Sequence, residues 1–66
     1  MKNIYRIEEL NPFHEWHLHG STVDQQEAIN WAQDLCTKIK RSVRVLDQTG
    51  TIVKQFDAKK STKYGL

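Results

Sequence analysis

The chain has 66 residues, one cysteine and a net charge of +2. Such a length makes one small domain, which buries only about 60% of its unfolded surface and needs a compact core, a partner chain, or both. With Cys36 alone an intramolecular disulfide is excluded, which suits a reducing compartment, and the charge is too small to imply nucleic-acid binding from composition.

The first residues, MKNIYRIEEL, place charges where the apolar run of a signal peptide would lie, and no apolar stretch approaches the length of a membrane span. A cytoplasmic protein is the expectation. Ile4 to Leu10 read as a first strand, with Tyr5 and Ile7 on one face and Arg6 and Glu8 on the other. Ile4 and Leu10 fall on the polar phase. Asn11-Pro12 ends the strand, because proline has no amide hydrogen and holds the residue before it extended.

Phe13 to Gly20 read as a second strand paired antiparallel to the first, with Trp16 and Leu18 facing inward and Glu15, His17 and His19 outward. Gly20-Ser21-Thr22 then leads into the longest periodic stretch, Asp24 to Arg41. There Ala28, Trp31, Ala32, Leu35 and Ile39 share one helical face. Asp24 is a suitable N-cap, with Glu27 placed to complete a capping box and Val23 to form a staple with Ala28; Thr22 with Gln25 is a second candidate box. Acidic residues at the start and Lys38, Lys40 and Arg41 at the end complement the helix dipole.

Val43 to Asp47 and Thr51 to Asp57 read as two further strands joined by a type I turn with a glycine bulge at Gly50. Ile52 and Phe56 are assigned inward and Val53 and Gln55 outward. The expected fold is α+β, in the order ββαββ: a single antiparallel sheet of about four strands, with the amphipathic helix packed on one face. Its domain spans residues 1–57, followed by a loosely docked basic tail over residues 58–66. The predicted core is Tyr5, Ile7, Trp16, Leu18, Ala28, Trp31, Ala32, Leu35, Ile39, Val43, Val45, Ile52 and Phe56.

Three sets of residues stand as candidate sites. On the uncovered sheet face, Arg6, Glu8, Glu15, His17, His19, Arg44, Leu46, Val53 and Gln55 would dock another protein or a second copy of the chain; a merely wet face is the plain alternative. Lys38, Lys40, Arg41, Arg44, Lys59 and Lys60 would contact nucleic acid if they gather into one patch. His17 and His19, about 7 Å apart on one strand face, would hold a transition metal with Glu15 as a third ligand, though the cysteine pairs or H-E-x-x-H of familiar zinc sites are missing.

No enzyme is expected. Cys36 sits late in the helix, where the dipole raises a thiol pKa, and there is no glycine-rich phosphate loop. No cofactor is expected either.

Trp16-His17-Leu18, the DQQEA of Asp24 to Ala28, and the VRVLDQTGTI of Val43 to Ile52 together resemble a family of short, uncharacterised bacterial ββαββ domains. That family has a W-x-V-like strand, a T-x-x-E-A helix entry and a hairpin with a D-G or T-G turn. The resemblance covers about two-thirds of the chain and implies the fold alone, because the family has no settled activity. Among the functions left open, a small binding or regulatory module of bacterial or phage type fits best, working by contact with another protein or with a second copy in a homodimer. Nucleic-acid association and metal binding are the alternatives.

Overall fold

A computed structural model describes residues 3–58; the expected basic tail, with Lys59 and Lys60, lies almost wholly outside them. The element order is β1 (Tyr5–Leu10), β2 (Trp16–Thr22), α1 (Gln25–Ile39), β3 (Val43–Leu46) and β4 (Ile52–Phe56). All four strands form one antiparallel sheet, in the order β2-β1-β3-β4. This is the ββαββ, α+β architecture expected from the pattern, and its strand order places the hairpins side by side through β1 and β3.

The helix forms where the apolar period predicts and is bounded by identifiable caps. Asp24 accepts hydrogen bonds from the amides of Gln26 (2.9 Å) and Glu27 (3.4 Å). Glu27 does not reach back to the cap amide. It accepts instead from the Thr22 hydroxyl at 2.5 Å, and Thr22 Oγ1 accepts from the Asp24 amide at 3.4 Å. The capping box is thus relayed through Thr22. Val23 remains exposed, so the expected staple does not cover it. At the other end Lys40 turns left-handed (φ 59°) and its amide bonds to the Cys36 carbonyl, stopping the helix before Arg41.

Ala28, Ala32, Leu35 and Cys36 of the helix pack on Tyr5, Ile7, Val43 and Val45 of the two central strands. Trp31, Ile39, Val53 and Phe56 close the margins of this core. Small side chains at Ala28 and Ala32 let the helix lie close to the sheet, so burial of β-branched residues at its centre supplies much of the hydrophobic stabilisation.

Two bulges decide which residues face the helix. In the first hairpin Ile7 pairs with Gly20 but Glu8 pairs with Leu18, leaving His19 as the extra residue. In the second, Val45 pairs with Lys54 but Leu46 with Ile52, leaving Val53 extra. An extra residue reverses the facing of everything beyond it. Three core expectations fail for this reason. Trp16 and Leu18 share the face of Glu8 and Arg44, away from the helix, and Leu18 is 55% exposed. Ile52 lies across from Leu46, 48% exposed, while Val53 takes its place against the core.

Candidate functional site: the open sheet face

The face opposite the helix is built from β1, β2, β3 and β4 in register. Arg6 lies between Ser21 and Leu46, Glu8 between Leu18 and Arg44, and Leu10 beside Trp16. Gln55 and Ile52 complete it from β4. The Arg44 guanidinium donates from Nε (2.8 Å) and Nη2 (2.7 Å) to one oxygen of Glu8, Oε1. The same guanidinium lies over the Trp16 ring, with Cζ 4.0 Å from the centroid. Glu8 therefore holds the cation across the indole, where the ring's electron-rich face attracts it. Leu18 stands next to this stack, and Leu46 is buried beneath its neighbours at 6% exposure. Arg6 Nε is buried on β1 and has no hydrogen-bond partner among the described residues.

The expected face thus keeps Arg6, Glu8, Arg44, Leu46 and Gln55 and loses the others. Leu46 points to this side but is buried, so it supports the sheet and presents little surface. Val53 packs on the core. Glu15 belongs to the loop before β2, where Asn11 Nδ2 donates to its Oε1 at 3.4 Å. His17 pairs with Glu9, itself across from Val43, and so lies on the helix side of the sheet while remaining exposed.

His19, the bulged residue, also belongs to the helix side. Its ring meets Trp31 edge-on with centroids 5.6 Å apart, and its Nδ1 is 3.6 Å from Glu9 Oε2. The other Glu9 oxygen is 3.8 Å from Arg41 Nη2. Among the described residues no group of three or more His, Cys, Asp or Glu side chains is arranged to hold a metal ion. The His17, His19 and Glu15 set therefore does not assemble, because Glu15 is drawn into the loop and His19 into contact with the helix.

Among the described residues, Lys38, Lys40, Arg41 and Arg44 do not share one surface either. Lys38 pairs with Asp34 at 3.1 Å along the helix. Arg41 donates from Nε to the Leu10 carbonyl at 2.8 Å, on the side of Glu9, whereas Arg44 is on the opposite face with Glu8. Lys40 is the helix C-cap. Cys36 is buried, with its Sγ 3.7 Å from the Phe56 carbonyl. Burial, and then the negative charge of Asp57, push its thiol pKa up, which makes it a poor nucleophile.

Sequence reasoning misses Trp16 and Leu18 as surface residues, yet a signal exists. The Asn11 amide donates to the Glu15 carbonyl, so the loop holds three residues and Leu10 must pair with Trp16. Leu10 is on the Arg6 and Glu8 phase, and Trp16 follows it there. No helix among the described residues is long and apolar enough to cross a membrane. Comparison with protein-family models, curated proteins and solved structures finds no match.

Proposed function

We propose that this protein is a small non-enzymatic binding or regulatory module that acts through protein–protein contact, with the open sheet face as its docking surface. The observation that carries the reading is the Trp16–Arg44 stack beside exposed Leu18. Tryptophan and arginine are the side chains that most often dominate interface energetics. Here one is held against the other by a carboxylate, so little side-chain freedom remains to be lost on docking. Leu18 and Ile52 add apolar area at the two sides of the face, and Arg6, Glu8 and Gln55 supply polar groups around it. A second copy of the chain is one candidate partner, since Glu8 and Arg44 offer both charge signs at the centre of the face.

Sedimentation over a concentration series, together with affinity purification from cells that make the protein, tests this. The expected result is an association lost in Leu18→Asp and weakened in Arg44→Gln, which keeps a hydrogen-bond donor for Glu8, both variants retaining the wild-type circular dichroism spectrum. A chain that stays monomeric and retains no partner, or a partner indifferent to both substitutions, refutes the reading.

A further inference from the structure

Two loops of this protein share one backbone design, and one of them carries more than the turn needs. In the first, the Asn11 amide donates to the Glu15 carbonyl (2.8 Å) and the His14 amide to the Asn11 carbonyl (3.0 Å). Asn11 Oδ1 accepts from the amides of Phe13 and Glu15, both at 2.9 Å. In the second, the Asp47 amide donates to the Thr51 carbonyl (2.9 Å) and the Gly50 amide to the Asp47 carbonyl (3.0 Å). Asp47 Oδ1 accepts from the amides of Thr49 (2.9 Å) and Thr51 (3.0 Å). The fourth residue is left-handed in both, His14 at φ 65° and Gly50 at φ 88°.

The second loop shows what this turn requires: a side-chain oxygen at the first position and a glycine at the fourth, with a small polar residue sufficing at the third. The first loop departs at both later positions. Phe13 replaces the small polar residue and is 81% exposed, so the fold gains little from burying it. His14 occupies a backbone region that glycine enters without strain. Pro12 adds stiffness by fixing its own φ. The result is an aromatic ring held outward on a rigid loop at a cost to folding.

We propose that the Asn11–Glu15 loop is a preorganised docking knob, whose Phe13 ring enters an apolar pocket on a partner protein. A rigid aromatic loses little entropy when it binds, which is the property of an interface anchor. The Glu15 carboxylate, exposed two residues along the chain from Phe13, favours a pocket flanked by a cation or amide donors. It opposes insertion into an anionic membrane, where the carboxylate would be repelled and partly dehydrated. This site uses different residues from the open-face stack, so either can fail alone.

The test places the photo-reactive analogue p-benzoylphenylalanine at position 13 of the full chain, and at position 49 as the matched control, in cells that make the protein. The expected result is one protein adduct specific to position 13, which also forms in the Leu18→Asp background. That protein, purified, binds wild type and loses at least about 30-fold in affinity with Phe13→Ala, which melts as wild type does, while Thr49→Ala has no effect on binding. The proposal is overturned by the absence of a position-13 adduct, by the same adducts at both positions, or by an affinity that ignores Phe13→Ala. Phe13-dependent flotation with phosphatidylglycerol vesicles in the absence of protein partners overturns it in favour of a membrane.

Discussion

Gly20→Ala is a one-methyl test of how the helix rests on the sheet. A Cβ at position 20 would lie 2.5 Å from Trp31 Cη2, 3.1 Å from Cζ2 and 3.4 Å from Cζ3. Carbon atoms pack favourably at about 3.5–4.0 Å, so the nearest contact is too close by about 1 Å. The neighbour is a rigid ring, not a flexible tip. It can yield only by rotating away from His19, with which it makes an edge contact, or by lifting α1 from β2. Overpacking of this kind costs about 1–3 kcal/mol, and the reduced freedom of the unfolded chain returns about 0.4–1 kcal/mol.

The expected net loss is about 1–2 kcal/mol, a sizeable part of the stability of so small a domain. Near the transition this lowers the Tm by roughly 4–8 °C per kcal/mol. Urea and thermal unfolding followed by circular dichroism measure it. Trp31→Phe removes the atoms that clash, so the double variant should lose at least about 1 kcal/mol less than the sum of the two single losses. A neutral Gly20→Ala, or strict additivity in the cycle, refutes the claim that the indole lies against a bare backbone at Gly20.

Leu18→Asp should change stability by less than about 1 kcal/mol, whereas Leu46→Ala should lose about 2–5 kcal/mol by emptying a buried site; equal losses in urea melts would contradict the difference in burial between the two leucines. The Thr49 hydroxyl, then the backbone amides of the turn, hold the Asp47 carboxyl below its ordinary pKa. Its stabilisation is therefore complete above the unfolded-state value of about 4 and is lost as pH falls through the lower folded value. Tm measured from pH 6 down to about pH 2 should fall less steeply in Asp47→Asn than in wild type, with a residual slope from Asp57, which Gln55 and Ser42 depress in the same sense. Lys40→Gly should raise stability by about 0.5–1 kcal/mol in chemical denaturation, because glycine relieves the left-handed cap. Asp24→Ala should lose about 1 kcal/mol in the same assay as two amides of the first turn lose their acceptor.

Half of the candidate site is legible in the sequence. Alternation alone assigns Arg6, Glu8, Arg44 and Gln55 to the open face, and they are found there. Trp16 escapes it, because alternation sets a phase along one strand and the phase of Trp16 is set across the loop, from Leu10. Phe13 reads as strand, although the Asn11-Pro12-Phe13-His14 run forms the same turn as Asp47-Gln48-Thr49-Gly50. A histidine at the left-handed position hides what a glycine there advertises.

What the amino-acid sequence determined by itself is the local structure. The 3.6-residue period and the Asp24 cap make the helix, alternation makes β1 and β3, and Asp47 with Gly50 makes the second turn. Each of these signals acts over a few neighbouring residues, where backbone sterics and short-range hydrogen bonds decide the outcome. Tertiary structure alone decided the pairing of β1 with β3 and the bulges at His19 and Val53. A bulge is a mismatch in count between two strands, so neither strand records it alone. Packing settles it, because Gly20 must face Trp31 where no side chain fits and Val53 must fill the core that Ile52 leaves. The pairing of Leu10 with Trp16 across the loop puts Trp16 and Leu18 on the open face beside Arg44, the bulge at His19 lets Gly20 turn back to the helix, and there the candidate site stands.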